Sequence, residues 1–280
     1  MPKVSVIIPA YNAAGSINRS LESVLSQDYG DVEIIIVNDG STDDTESVLR
    51  KYLSDNKIKY FKTENKGVSR AINTGLKEAT GDYLCFLHAD DLFLPGKIKT
   101  QVLLMEKYKN YEISYTKESY FREGNVSRVI KSPYFHFSGD IFYFLKRSNF
   151  IHMSTVMLRK NTLGKELLDG ALTCHEEWDL FLRLSAKGAK FLYINETLSS
   201  VAMSEKNLSS NNALMDSTRE VVGKRAKALW KQFKRNINLK RYLMFKVYAR
   251  LINFPLDKKF NQKSPREILF DGDRSLKKGV

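Results

Sequence analysis

The stretch Asp82-Tyr83-Leu84-Cys85-Phe86-Leu87-His88-Ala89-Asp90-Asp91 decides how the rest of the chain is read. Its apolar run, Tyr83 to Leu87, is too short for an independent helix and matches a strand buried on both faces. Two adjacent acids, Asp90 and Asp91, follow at the strand's carboxyl end, and Pro95-Gly96 opens the next element. In an open parallel sheet, ligands collect just beyond the carboxyl ends of the strands. Adjacent carboxylates repel each other there unless a cation, donor or hydroxyl holds them. The pair reads as a divalent-cation or sugar-nucleotide site; a solvated Asp-Asp turn is the alternative a dipeptide alone leaves open.

Upstream, Val4–Ile8 reads as a first buried strand stopped by Pro9-Ala10-Tyr11-Asn12. Ser16 can cap a helix whose Ile17, Leu21, Val24 and Leu25 share one face. Glu33–Val37 is a second buried strand, ending in Asn38-Asp39-Gly40-Ser41, where Ser41 and Asp44 form a capping box for the next helix. Ile58–Lys62 is a third strand. Val68, Ala71, Ile72, Gly75, Leu76 and Ala79 then make a helical stripe closed by Gly81. Strands alternating with helices predict an α/β domain: a parallel sheet with helices on both faces. No G-x-G-x-x-G follows the first strand and no G-x-x-x-x-G-K-[ST] occurs, which argues against dinucleotide and P-loop phosphate sites.

Downstream, Pro95 suits the first turn of a helix through Tyr108 with Ile98, Val102 and Met105 inward. Glu112–Thr116 is strand-like, a hairpin is expected around Glu123-Gly124-Asn125, Gly139–Arg147 is a short aromatic helix, and Phe150–Leu158 is another strand. In Cys174-His175-Glu176-Glu177-Trp178-Asp179, the register of Trp178, Phe181, Leu182 and Ser185 marks the inward face of a helix stopped by Gly188. Glu177 borders that face at the first turn, and Asp179 falls outside it, toward solvent. Lys190–Ile194 closes the strands, and from about Leu214 the chain turns helical and basic.

Composition sets bounds. The chain has 280 residues, 42% hydrophobic and 28% charged, an ordinary globular balance. No apolar run approaches the roughly 18 residues that span a bilayer, and the start does not read as a secretory signal. Cys85 and Cys174 have no CxxC spacing, so neither a zinc cluster nor a disulfide framework is expected, and a reducing cytosol is the expected compartment. Arg219 to Lys263 holds 14 Lys and Arg against two acids, which accounts for nearly all of the net charge of +13. Within it Leu229, Trp230, Phe233 and Ile237, then Tyr242, Phe245, Tyr248, Ala249 and Ile252, recur at helical spacing. Such a helix suits an anionic membrane surface; packing on the core or on a second subunit, as in a homodimer, is the other reading.

Val4-Ser5-Val6-Ile7-Ile8-Pro9-Ala10-Tyr11-Asn12, Val37-Asn38-Asp39-Gly40-Ser41-Thr42-Asp43, Gly81-Asp82-Tyr83 with His88-Ala89-Asp90-Asp91, and Glu176-Glu177-Trp178-Asp179 with Leu182-Arg183-Leu184 together resemble glycosyltransferase family 2 over roughly residues 3–205. The resemblance implies a GT-A (Rossmann-like) fold over residues 1–212, followed by a basic helical extension over 213–280. It also implies an inverting transferase acting on a nucleotide-sugar donor with Mn²⁺ or Mg²⁺. Pro9, Tyr11 and Asp39 match the family's nucleoside-binding positions, Asp90 and Asp91 its donor-ribose and metal acids, and Glu177 its catalytic base. The sequence departs at three places: His88 stands at the first acidic position of the usual Asp-x-Asp-Asp, Glu177 replaces the usual Asp, and a Tyr-Arg pair is missing near Val201-Ala202-Met203. An imidazole can itself ligate transition metals.

The expected partners are a UDP- or dTDP-sugar and a saccharide or lipid-linked acceptor of cell-surface polysaccharide synthesis, with no nucleic acid. The expected place is cytoplasmic, peripheral to the inner membrane. Two rival classes differ: a nucleotidyltransferase would carry a basic Gly-rich loop where Pro9-Ala10-Tyr11-Asn12-Ala13-Ala14-Gly15 stands, and a nucleic-acid binder would spread its basic residues beyond one segment. Arg70 and Lys66 read as solvated, with diphosphate contact as the alternative. His152 and His136 have no partner at ligand spacing and read as structural or surface residues, while His175 is open between structure and an acceptor cleft.

Overall fold

The structure is a computed structural model that describes residues 1–53, 58–122, 125–131, 136–203 and 211–236, with 125–131 and 234–236 described by backbone alone. The chain runs β1 (Val4–Ala10), α1 (Ile17–Leu25), β2 (Val32–Asp39), α2 (Thr45–Leu49), β3 (Ile58–Thr63), α3 (Val68–Glu78) and β4 (Tyr83–Phe86). It continues through β5 (Leu92–Phe93), α4 (Lys97–Lys107), β6 (Ile113–Arg122), β7 (Asn125–Lys131), α5 (Phe142–Leu145) and β8 (Val156–Arg159). The last elements are α6 (Lys160–Leu163), α7 (Glu176–Ala186), β9 (Phe191–Met203) and α8 (Asn212–Asn236). Short 3₁₀ turns sit at Arg50–Tyr52 and Met153–Thr155.

One sheet has the order β3-β2-β1-β4-β8-β6-β9-β5, with β7 on β6. β1, β2, β3 and β4 pair parallel, as does β6 with β9, while β5, β7 and β8 run antiparallel to their neighbours. This is the expected α/β architecture. Alternation along the buried strands explains the layers. Ile7, Ile35, Val37, Leu84 and Phe86 face a core shared with α3, α5, α7 and α8. Val4, Val6, Ile8, Ile34, Ile36, Tyr83 and Cys85 face the other, shared with α1 and α4. Gly75 lets α3 lie on β1, since a Cβ there would fall 2.5 Å from Ile7 Cγ2.

Two strand assignments change. Phe150–Leu158 is not one strand: the backbone forms a 3₁₀ turn at Met153–Thr155 before β8. Its β-branched and apolar residues fit both conformations, so propensity could not separate them. The last strand does not close at Ile194 but runs to Met203, through the exposed Asn195-Glu196-Thr197. A shift in its register with β6 accommodates them.

The amino-terminal part of the basic segment packs inward. Val222, Ala226 and Phe233 belong to the core, and Leu229 and Trp230 lie against it. Phe233 stacks on Phe142 with ring centroids 4.7 Å apart. These aromatic residues therefore serve the packing reading of the stripe. Ile237 and the aromatic residues after it lie outside the described residues. Among the described residues no helix is long and apolar enough to cross a membrane.

Candidate active site

β1, β2 and β4 run in one direction, so their carboxyl ends, with Pro9, Asp39 and the Asp90-Asp91 turn, gather along one edge. Pro9 is buried at the end of β1, whereas Tyr11, just beyond, is 49% exposed. Asn12 adopts a left-handed backbone (φ 48°), which Asn tolerates better than most residues. Its Oδ1 accepts from Thr42 N at 2.8 Å, and its own N–H donates to Ser41 Oγ at 3.0 Å. Ala13 N donates to Thr45 Oγ1 (2.8 Å) and Ala14 N to Asp43 Oδ2 (3.0 Å), lacing the loops after β1 and β2 together. The Ser41–Asp44 capping box does not form. The Ser41 hydroxyl is spent on Asn12, and Asp43 Oδ1 accepts from Thr45 N (3.0 Å) instead.

Asp39 is buried and holds the start of α3: Oδ1 accepts from Lys66 N (3.0 Å) and Thr63 Oγ1 (3.3 Å), and Oδ2 from Gly67 N (2.8 Å). A carboxylate offers about four acceptor positions, so three donors leave room for one more. Asp39 thus caps the start of α3 rather than turning its own loop. Gly40 (φ 69°) is required there, because a Cβ would fall 2.6 Å from Asn65 N.

Asp91 is held from three sides. Ser154 Oγ donates to its Oδ2 (2.5 Å), Ala202 N to its Oδ1 (2.9 Å), and its own N–H donates to His88 O (3.0 Å). Ser154 Oγ also accepts from His88 N at 3.2 Å. Burial raises the Asp91 carboxyl, and burial together with the Asp91 charge pushes Asp90 up to about 6. The 3₁₀ turn also brings His152 in, with Nδ1 3.7 Å from Asp91 Oδ2 and its ring 5.5 Å from that of His88. His88, Asp91 and His152 each offer one ligand atom, all within 4.8 Å of one another. His152 therefore does have partners at ligand spacing, because the turn that interrupts the expected strand brings it beside Asp91. His88 Nε2 is buried with no hydrogen-bond partner among the described residues. An unpaired buried polar atom costs about 1–3 kcal/mol, and imidazole with carboxylate is a donor set for divalent metals. The residues present fit such an ion.

Lys97, which the helical pattern around it concealed, supports this turn from behind. It is fully buried, and Nζ donates to Gln101 Oε1 (2.5 Å) and to Thr155 O (3.0 Å). Burial pushes its ammonium down to about 8.

The third group comes from α7. His175 precedes it in a left-handed conformation (φ 61°), uncommon for a residue with a Cβ and a mark of local strain. Trp178 Nε1 donates to Leu145 O at 2.7 Å and locks the first turn against α5. Asn149 Nδ2 donates to Glu177 Oε1 at 2.7 Å. Burial and the neighbouring Glu176 charge push Glu177 up to about 8, against the pull of Asn149. Burial also raises Glu176, opposed by a hydrogen bond from its own backbone N–H. A helix amino terminus favours carboxylates by about 0.3–1 kcal/mol, and here desolvation outweighs it. Asp179 is not solvated: its side chain is 1% exposed, with Arg183 Nε at 2.9 Å and Arg225 Nη1 at 3.1 Å. Arg225 also reaches Asp169 Oδ2 (2.6 Å), so the basic segment clamps α8 onto α7.

The remaining candidates stay outside these groups. Arg70 packs over Gly170, whose Cβ would meet its Nε at 2.9 Å, and Lys66 pairs with Glu64 at 3.1 Å. His136 stacks on Tyr193 (4.4 Å), and His175 lies edge-on to Trp178 (5.5 Å).

Residues 5–163 match the sequence profile of Glycosyl transferase family 2. Among curated relatives, an uncharacterized glycosyltransferase of Rickettsia bellii is 36% identical over 66% of this chain, which spans only 26% of that protein. An Escherichia coli protein, UDP-Glc:alpha-D-GlcNAc-diphosphoundecaprenol beta-1,3-glucosyltransferase WfaP, is 36% identical over 68% of this chain and 73% of its own. Amylovoran biosynthesis glycosyltransferase AmsB of Erwinia amylovora is 31% identical over 71% and 69%. Of solved structures, S. aureus TarS 1-349 in complex with UDP-GlcNAc superposes with TM-score 0.64 at 18% identity, over 92% of this chain and 77% of that one. Mannosyltransferase PcManGT from Pyrobaculum calidifontis, in complex with GDP-Man and Mn²⁺, gives 0.59 at 17%, over 91% and 81%. At such identities these two speak for the GT-A fold alone. With strand ends, acid pairs and profile in agreement, the chain belongs to glycosyl transferase family 2.

Proposed function

We propose that this chain is an inverting glycosyltransferase that moves a sugar from a UDP- or dTDP-sugar to a hydroxyl of a saccharide or lipid-linked saccharide, in cell-surface polysaccharide synthesis. The observation that carries the reading is Glu177: a half-buried residue in the first turn of α7, its carboxyl raised to about 8 and hydrogen-bonded by Asn149. A general base works best when its pKa lies near the operating pH. Glu177 takes the proton of the acceptor hydroxyl as that oxygen attacks the anomeric carbon and the bond to the nucleoside diphosphate breaks. One base suffices because the displacement is single and leaves the anomeric configuration inverted.

The spare acceptor position of Asp39 suits the ring N–H of a uracil-type base, with Pro9 and Tyr11 beside it and Asp90 at the ribose. A divalent ion held by Asp91 would neutralise the departing diphosphate as a Lewis acid. The names of the relatives support this choice of chemistry: WfaP is named for UDP-Glc and a diphosphoundecaprenol acceptor, and TarS is complexed with UDP-GlcNAc. The basic residues from Arg219 to Lys263 would favour an anionic membrane, where a lipid-linked acceptor resides.

The experiment is a panel of UDP-, dTDP- and GDP-sugars screened by thermal shift with and without Mn²⁺. A UDP- or dTDP-sugar should raise the melting temperature, more so with the metal. Stabilisation by GDP-sugars alone contradicts the donor assignment.

A further inference from the structure

The chain departs from the three-acid Asp-x-Asp-Asp motif at His88, and the fold brings a second imidazole to the same place. His88 lies two residues past the end of β4, Asp91 in the turn after it, and His152 caps the 3₁₀ turn before β8. Their ligand atoms lie within 4.8 Å of one another. Three atoms no more than 4.8 Å apart lie at most about 2.8 Å from a common centre, against a metal–ligand length of about 2.1 Å, so the set closes on an ion with shifts below an ångström. Each member is supported: Ser154 and Ala202 orient the Asp91 carboxylate, Ser154 fixes the His88 backbone, and Lys97 and Gln101 both donate to Thr155 O in the turn that carries His152. His88 Nε2 is buried and has no hydrogen-bond partner among the described residues.

We propose that His88 and His152 join Asp91 as ligands, making a mixed imidazole–carboxylate centre that selects later transition ions such as Co²⁺, Ni²⁺ or Zn²⁺ over Mg²⁺ and Ca²⁺. Resting on the metal reading of Asp91 above, this assigns two further ligands and a selectivity. The physical reason is ligand softness. Imidazole suits first-row transition ions, whereas Mg²⁺ demands oxygen ligands and sheds its waters reluctantly. His88 thus exchanges an all-oxygen site for a selective one, and His152 supplies the nitrogen that completes it.

Direct metal binding tests this without turnover. The chain has four histidines, so ring nitrogens can be followed individually by long-range ¹H–¹⁵N NMR as Zn²⁺ is added to the purified protein. The expected result is large shifts at His88 and His152, with His136 and His175 unmoved as internal controls. In a parallel titration with Co²⁺ read by visible absorption, His88→Ala and His152→Gln should each weaken binding at least about 10-fold. A 100-fold excess of Mg²⁺ should displace little cobalt. Melting curves confirm that each variant is folded, and the NMR arm needs no variant.

Unmoved His88 and His152 rings, with Co²⁺ binding lost only in Asp91→Asn, overturn the histidine assignment and leave the carboxylate reading standing. Mg²⁺ displacing Co²⁺ at equal concentration overturns the selectivity. No metal bound by the wild type overturns both this proposal and the metal reading beneath it.

Discussion

Asn149 should set the pH at which this protein works. Its Nδ2 donates to Glu177 Oε1 at 2.7 Å, the pull that opposes burial and the Glu176 charge in holding Glu177 near 8. A hydrogen bond to a charged group contributes about 1.5–3 kcal/mol, and one pKa unit is about 1.4 kcal/mol. Asn149→Leu keeps the size and removes the donor, so Glu177 should rise by about one to two units. The base acts deprotonated, so activity rises with pH through its pKa. At pH 7 about a tenth of the wild type carries the carboxylate, and in the variant about a hundredth to a thousandth does. The assay is kcat/KM for the donor against pH from 6 to 9.5, which reports ionisations of the free enzyme. Asn149→Leu should lose about 10–100-fold at pH 7 and recover progressively toward the alkaline end. An equal loss at every pH, with the inflection unmoved, refutes the reasoning and makes Asn149 a packing residue.

Three further outcomes follow from the geometry. Glu177→Gln should lower kcat by roughly 10²–10⁴-fold with donor binding nearly intact; a dead Glu176→Gln beside an active Glu177→Gln would move the base one residue upstream. Glu33 is held by Ser5 Oγ (2.5 Å), Thr80 N (2.6 Å), Gly81 N (3.1 Å) and the ammonium groups of Lys3 and Lys59, which together pull its carboxyl far below the usual range against its burial. A depressed folded-state value means the stabilisation is present above the unfolded value of about 4.3 and is lost as pH falls below it. Urea melts of Glu33→Gln should show a deficit of about 1–3 kcal/mol at pH 7 that shrinks toward pH 3; a pH-independent deficit would contradict the linkage. Phe233→Ala should cost about 3–5 kcal/mol without changing pelleting on anionic vesicles, because Phe233 stacks into the core; lost pelleting with unchanged stability would place it at the membrane instead.

The first half of the fold was legible because strands buried on both faces read as unbroken apolar runs, and α1, α3 and α4 carry their inward residues at helical spacing. Tyr83–Leu87 with Asp90-Asp91 located the sheet's ligand edge for the same reason. What the sequence concealed were meetings between distant segments. His152 reaches Asp91 only because a 3₁₀ turn interrupts a stretch whose residues suit a strand equally well. Asp179 looked solvated because its position on α7 lies off the apolar stripe, and its second partner, Arg225, arrives from α8. Ser41 had the spacing of a cap, yet its hydroxyl is taken by Asn12 across the loop. Lys97 sits among the inward residues of α4 but offers no apolar signal, so its burial could not be read from periodicity.

The most direct test of the account is the product of turnover. Purified protein is incubated with UDP- and dTDP-sugars, a divalent transition ion and a saccharide acceptor mixture, and nucleoside diphosphate and glycoside are quantified by chromatography and mass spectrometry. The account predicts equal amounts of nucleoside diphosphate and glycoside, an inverted anomeric centre by ¹H NMR, and loss of both products in Glu177→Gln and Asp91→Asn. Pyrophosphate as the released product, or a glycoside that retains the donor's configuration, would contradict it.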